Sequence, residues 1–309
     1  MNLTMYIALL LGFALLLKGA GWFVDAASSL ARALHIPSLI IGLTIVAMGT
    51  SAPEAAVSIT AAFSGSNEIA LSNVVGSNMF NLLAVVGVSS LLRPALVEPA
   101  VLRRDLFWHL GATLLLLFLA YNLYIGRLEG LLLLLLLAVY LLFLLKNARG
   151  ANSGSEPEAA EIGLPKQLFW LVVGLAAVIL GGNLVVNSAT DIATAWGWSE
   201  TLIGLTIVAI GTSLPELATS VMAAYKGDSS LALGNVLGSN IFNLLFILGL
   251  SCTLSPIAVL PGALCDIGLL CAVAALTLFI CRNDGQISRR EGALLLALYL
   301  LYTGWLICR

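Results

Sequence analysis

Two glutamates stand inside uncharged apolar runs, and they occupy the same place in two copies of one sequence. Residues 42–81, GLTIVAMGTSAPEAAVSITAAFSGSNEIALSNVVGSNMFN, return as residues 204–243, GLTIVAIGTSLPELATSVMAAYKGDSSLALGNVLGSNIFN, at a constant offset of 162 and without a gap. Roughly 25 of about 40 aligned positions are identical, which marks an internal repeat rather than shared composition. The repeat carries Glu54 in one copy and Glu216 in the other. An acidic side chain within a membrane segment is costly to place there, so it points to a functional site.

The membrane reading follows from hydropathy. The 309 residues are 60% hydrophobic and 10% charged, with a mean hydropathy of +1.05. That composition predicts an all-α polytopic membrane protein embedded in the lipid bilayer. No basic patch with interleaved aromatics occurs, so nucleic acid is not an expected partner. The five cysteines, Cys252, Cys265, Cys271, Cys281 and Cys308, form no CxxC and read as small apolar filler. The first apolar run lacks a preceding basic stretch and reads as a membrane helix rather than a cleaved leader.

Spans of roughly 20 apolar residues fall at 4–24, 39–63, 70–91, 105–125, 128–146, 166–187, 201–225, 232–254, 262–281 and 289–308. Ten transmembrane helices are therefore expected, as two five-helix repeats, 1–146 and 166–309. A polar Gly/Ser/Pro/Glu stretch, 147–165, joins them as a cytoplasmic linker. Five is odd, so the second copy must enter from the opposite face, which predicts inverted repeats. The offset also aligns Gly19 with Gly181 and Val24-Asp25 with Val186-Asn187.

Charge tests the orientation. With both termini outside, the inner loops hold Arg32, Arg93, Arg103, Arg104, Lys146, Arg149, Lys166, Lys226, Arg282, Arg289 and Arg290. The outer side holds Arg127 and Arg309, and Lys18 lies within the first span. This bias is the one the positive-inside rule favours.

The candidate site lies where polar residues recur. On the second span Thr50 and Glu54 are four apart and share a face, with Ser51 beside them. Pro53 lacks an N–H and is expected to free the Gly49 carbonyl. Thr212, Ser213, Pro215, Glu216 and Gly211 repeat the set on the seventh span. The third and eighth spans add Ser77 with Asn81 and Ser239 with Asn243, with Asn73 and Asn235 one turn earlier. Gly76 and Gly238 would permit close helix approach. The donor set is oxygen alone, with neither Cys nor His. It suits hard cations such as Na⁺ and Ca²⁺ and disfavours zinc or copper. Two carboxylates match the charge of one Ca²⁺, and several Na⁺ could compete for the same oxygens.

Other polar residues read as peripheral. Glu68, Lys226 and Asp228 are expected in solvated connections, Glu98, Glu200 and Asp266 as loop charges, and His109 at the interface near Arg103, Arg104 and Asp105. Asp25 could line an ion path. No HExxH and no Ser/His pair at membrane depth occurs, which argues against an enzyme.

The segments GTSAPE…GSNMFN and GTSLPE…GSNIFN resemble the alpha-repeats of the calcium/cation antiporter superfamily, in its sodium/calcium exchanger branch, and most closely the short bacterial YrbG-like exchangers. The likeness covers nearly the whole chain. It implies an antiporter of a bacterial inner membrane, functional as a monomer and without a cofactor, exchanging Na⁺ for Ca²⁺ by alternating access. The resemblance assigns Glu54 and Glu216 as shared Ca²⁺/Na⁺ carboxylates. Thr50, Ser51, Thr212 and Ser213 would add oxygens, Ala47 and Ala209 backbone carbonyls, and Ser77 and Ser239 further Na⁺ ligands. The first and sixth helices are expected to slide against the other eight. Some relatives, including potassium-dependent exchangers, carry Asp where this chain has Asn243; the neutral Asn81 and Asn243 argue against potassium co-transport. A proton-coupled calcium or other cation antiporter is the alternative.

The paired glutamates generate one direct test. Glu54→Gln and Glu216→Gln should each give a folded protein that no longer transports Ca²⁺. Normal Na⁺-driven ⁴⁵Ca²⁺ uptake into proteoliposomes by either variant would refute the roles assigned to them.

Overall fold

A computed structural model of the chain describes residues 3–65, 67–99, 101–150, 163–198, 207 and 209–308. Apolar runs fold as helices because every backbone N–H and C=O must be satisfied within the segment where no water is available. The helices are α1 (Leu3–Leu34), α2 (Ser38–Thr50), α3 (Ala52–Phe63) and α4 (Glu68–Leu92). Then come α5 (Leu106–Ala120), α6 (Arg127–Gly150) and α7 (Leu164–Ala195). The rest are α8 (Leu214–Lys226), α9 (Ser229–Leu254), α10 (Pro261–Asp284) and α11 (Arg289–Cys308).

Among the described residues, seven of these are long and apolar enough to cross a membrane, and eight if α2 and α3 count as one bent span. The two expected spans outside that set are broken. The one expected at 105–125 is the 15-residue α5 after a widened turn, Val101–Asp105. The one expected at 201–225 is a short turn, Ala209–Gly211, followed by the 13-residue α8; residues 199–206 lie outside the described residues. The expected linker is also shorter at both edges. Helix α6 runs on through Gly150 and α7 begins at Leu164, while 151–162 lie outside the described residues.

Two minimal antiparallel ribbons accompany the helices. Ala95 and Leu96 pair with Ile287 and Gln286, and Tyr124 and Ile125 pair with Ala258 and Ile257. Adding 162 to one ribbon's first strand gives the other ribbon's second, so the two are exchange partners under the repeat. They lie at opposite ends of α5. Lys226, Arg93 and Arg289 gather at the end carrying Ala95: Lys226 Nζ meets Asp25 at 2.6 Å, the Arg93 guanidinium lies over Gly227, and Arg289 donates to the Leu92 carbonyl at 3.3 Å. Arg127 begins α6 at the other end.

Helices α1 and α7 pack against each other antiparallel along a glycine seam. Cβ atoms built on Gly12, Gly19, Gly174 and Gly181 would meet Val185 N at 2.9 Å, Val178 N at 2.8 Å, Phe23 N at 2.6 Å and Leu16 N at 2.5 Å. Gly174 is the repeat counterpart of Gly12, and Gly181 of Gly19. Backbone contact this close admits no side chain. The remaining helices surround α4 and α9, which are buried along almost their whole length and form the centre of the main apolar core.

This seam predicts a contrast. Gly181→Ala forces α1 away and should lower the thermal unfolding temperature of the detergent-purified protein, at a cost of about 1–3 kcal/mol. Gly111→Ala, on α5 with no neighbour within 4 Å of the added Cβ, should leave it unchanged or slightly raised.

Candidate functional site

The site is built where two helices restart. Between α2 and α3, Ser51 takes φ −80° and ψ 8°, outside the helical well, and the axis turns by 49°. Ser213 does the same before α8, with φ −92° and ψ 7°. Pro53 and Pro215 sit in the first two positions of the restarted helices, where a missing N–H costs no helical bond. Each break leaves a hydroxyl and a glutamate in the first turn of a new helix, where the backbone dipoles favour negative charge. The expected role of Gly49 changes in detail: a Cβ there would strike Leu175 at 3.0 Å, and on Gly211 it would strike Val186 at 2.4 Å, so these glycines let α7 pack against the breaks. The carbonyl that meets the hydroxyls is Ala47's, 3.3 Å from Thr50 Oγ1 and 3.4 Å from Ser239 Oγ. Ala209 opens the short turn on the other copy.

Both glutamates are fully buried, and each is held by the opposite repeat. Ser51 donates to Glu216 Oε1 at 2.8 Å, and Ser213 donates to Glu54 Oε1 at 2.8 Å. Ser213 also lies 3.2 Å from Ser77, and Ser239 lies 3.5 Å from Glu216 Oε1 and 3.5 Å from Thr50. Thr212 Oγ1 is buried without a hydrogen-bond partner, and Thr50 donates to Asn235 Oδ1 at 3.1 Å. Asn73 caps the Glu54 carbonyl at 3.2 Å and Ser58 at 2.9 Å; Asn235 does the same for the Glu216 carbonyl at 3.5 Å and Ser220 at 2.9 Å. Thr50, Ser51, Glu54, Ser77, Ser213, Glu216 and Ser239 therefore meet in one buried polar layer.

The second oxygens tell what that layer can do. Glu54 Oε2, Glu216 Oε2, Asn81 Oδ1 and Asn243 Oδ1 are buried acceptors without a hydrogen-bond donor. Buried acceptors are almost always satisfied. Two of these four belong to the carboxylates and two to amides, and oxygens of these kinds are the ligands hard cations take. No group of three or more His, Cys, Asp or Glu side chains that could hold a metal ion occurs among the described residues.

Asn78, Asn240, Ser58 and Ser220 were not singled out in the sequence, although the offset of 162 relates Asn78 to Asn240 and Ser58 to Ser220. His109 is corrected: it is 1% exposed, and its Nε2 lies 3.4 Å from Asn240 Nδ2. Asp105 is buried too, paired with Arg104 at 2.7 Å and accepting from Tyr140 at 3.2 Å, which draws α5 inward. Asp228 caps α9 and accepts from Ser28 and Ser38, both at 3.0 Å, instead of lying solvated. Lys226 is tied to Asp25, which is exposed, and to the Gly21 carbonyl. Glu98 accepts from Ser230. Glu200 lies outside the described residues.

Comparison with known proteins gives the same picture over the whole chain. The sodium/calcium exchanger protein family matches it twice, at residues 4–146 and 166–308. The inner membrane protein YrbG of Escherichia coli is 36% identical over 96% of this chain and 95% of its own. The sodium/calcium exchanger MaX1 of Methanosarcina acetivorans is 35% identical over 96% and 97%. The solved structure of the sodium-calcium exchanger NCX_Mj superposes with a TM-score of 0.88 at 30% identity, covering 98% of this chain and 99% of that one. A duplicated helical membrane fold, a family match to each half and full-length likeness to solved and curated exchangers agree: the chain belongs to the sodium/calcium exchanger family.

Proposed function

We propose that this protein is a sodium/calcium antiporter of a bacterial inner membrane, in which Na⁺ and Ca²⁺ alternate at the layer between Glu54 and Glu216. One observation carries the reading: each buried carboxylate is bound through one oxygen by a serine of the opposite repeat and presents the other oxygen unpartnered. Thr50, Thr212, Ser77, Ser239, Asn81, Asn243 and the carbonyls of Ala47 and Ala209 complete the ligand set in this proposal. Two negative charges balance one Ca²⁺, and the same oxygens serve Na⁺, so the ions exclude each other. Mutual exclusion at a shared site is the thermodynamic basis of exchange.

The architecture proposed with it is ten helices in two oppositely oriented halves, 1–146 and 166–309, joined by the cytoplasmic segment 147–165. The antiparallel α1/α7 seam and the exchange-related ribbons support it. The grouping of Lys226, Arg93 and Arg289 at one end supports termini on the outer side under the positive-inside rule. Alternating access then moves α1 and α7 along the buried core. The protein works as a monomer, because the ligand set is complete within one chain.

Reconstitution tests this. An outward Na⁺ gradient should drive ⁴⁵Ca²⁺ into proteoliposomes, and a pH gradient alone should not; uptake driven by pH alone would favour the proton-coupled alternative. Ser51→Ala and Ser213→Ala each remove a hydrogen bond to a buried charge, worth about 1.5–3 kcal/mol. Each should weaken Ca²⁺ uptake by about tenfold or more, and by similar factors, because the two serines are repeat counterparts.

A further inference from the structure

Four fully buried asparagines, Asn78 and Asn81 on α4 and Asn240 and Asn243 on α9, form a closed set of contacts one turn beyond Ser77 and Ser239. Asn78 Nδ2 donates to the main-chain carbonyl of Asn240 at 3.2 Å, and Asn240 Nδ2 to that of Asn78 at 3.4 Å. A main-chain carbonyl only accepts, so the nitrogen of each side chain must face it. The Oδ1 of each is then turned the other way. Asn240 Oδ1 accepts from Asn81 Nδ2 at 3.0 Å, and Asn78 Oδ1 accepts from Asn243 Nδ2 at 3.1 Å. An acceptor there forces Asn81 and Asn243 to present nitrogen to it. Their own oxygens are thereby the ones left without a donor. Two backbone carbonyls thus determine the orientation of all four amides. His109 Nε2, 3.4 Å from Asn240 Nδ2, must accept as well, which places its proton on Nδ1.

We infer that Asn78 and Asn240 are positioning residues for ion binding: they hold the carboxamides of Asn243 and Asn81 nitrogen-outward, so that both oxygens are offered to the cation. The inference rests on the proposed exchange site and adds to it two residues that touch no ion. Amide pairs that merely glued α4 to α9 would need no such consistent orientation, and the free oxygens would have no reason to fall on the two residues one turn from Ser77 and Ser239. A carboxamide free to flip can turn its NH₂ rather than its oxygen to the site, and orienting partners of this kind typically tune metal affinity by about 10–100-fold.

The test is a double-mutant cycle on the full chain in proteoliposomes, reading half-saturating Ca²⁺ and maximal rate separately. Asn78→Ala should raise half-saturating Ca²⁺ by about tenfold with the maximal rate retained. In an Asn243→Asp background the side chain has two equivalent oxygens and no wrong orientation, so Asn78→Ala should change half-saturation by less than about twofold. Asn240→Ala, which acts through Asn81, should keep its about tenfold cost in that same background. An equal cost of Asn78→Ala in both backgrounds, or a lost maximal rate at unchanged half-saturation, overturns the inference. Where Asn78→Ala does not fold, the mirror cycle of Asn240→Ala with Asn81→Asp carries the same two outcomes. Ca²⁺-induced thermal stabilisation of the purified variants reads the cycle without transport. Failure of Na⁺-driven uptake in the parent protein would therefore count against the exchange reading, while the stabilisation cycle still decides the role of the clamp.

Discussion

The structure depends on a reciprocal bond: Ser51 of one repeat holds Glu216 of the other, and Ser213 holds Glu54, each at 2.8 Å. A carboxylate removed from water needs partners, and lipid supplies none. A single half could provide a glutamate but could not satisfy it, because each serine points across the interface. Duplication with exchange of partners solves this, and it explains why both copies keep the break, the proline and the hydroxyl together. The helix must stop at Ser51 and Ser213 for the side chain to leave the helical row and reach the other half. The proline lets it restart without losing a backbone bond.

Burial then sorts the remaining polar groups into two kinds. Asn73 and Asn235 tie the restarted helices to α4 and α9 through the glutamate carbonyls. The four asparagines of the next layer join α4 to α9 directly. Together they make a polar core whose donors are spent on protein acceptors, while one oxygen on each glutamate is left over. The α1/α7 pair contrasts with this. Its contact is a seam of glycines against backbone, with dispersion and close packing as its adhesion. Such a surface has few directional bonds to break, whereas the polar core has many. This difference in bonding is what separates a fixed body from a movable pair in the proposed cycle.

Much of this was legible before any coordinates, because an offset of 162 is a stronger signal than any propensity. It marks both glutamates, the hydroxyls beside them, and Asn73, Asn81, Asn235 and Asn243. Asn78 and Asn240 lie outside the i, i+4 row that runs from Asn73 through Ser77 to Asn81, because Asn78 starts a neighbouring row. The offset contained them all the same. His109 was misplaced for a different reason: its neighbours Arg103, Arg104 and Asp105 suggest an interface, yet the Arg104–Asp105 pair and Tyr140 let α5 carry polar residues inward. That is a tertiary effect, and spacing has no access to it. The two-residue ribbons were beyond reach too, since two residues carry no alternation to read.

The repeats are nearly equivalent in the polar layer and unlike at their ends, and the difference falls on α1. Lys226 bonds Asp25 and the Gly21 carbonyl, and Asp228 accepts from Ser28 on α1 and Ser38 on α2. The counterparts of Lys226 and Asp25 are Ser64 and Asn187: Ser64 donates to the Thr60 carbonyl at 2.9 Å, and Asn187 is exposed. The end of the molecule that gathers basic residues therefore anchors α1 to α8 through an ion pair that, among the described residues, has no counterpart at the other end. In the proposed alternating-access cycle, an inverted repeat by itself would give two equally stable end states. Exposed pairs are weak individually, about 0–1 kcal/mol, but a two-state equilibrium between near-equivalent halves has little else to bias it. In the proposed cycle, the asymmetry of these few side chains would give the duplicated scaffold a preferred side.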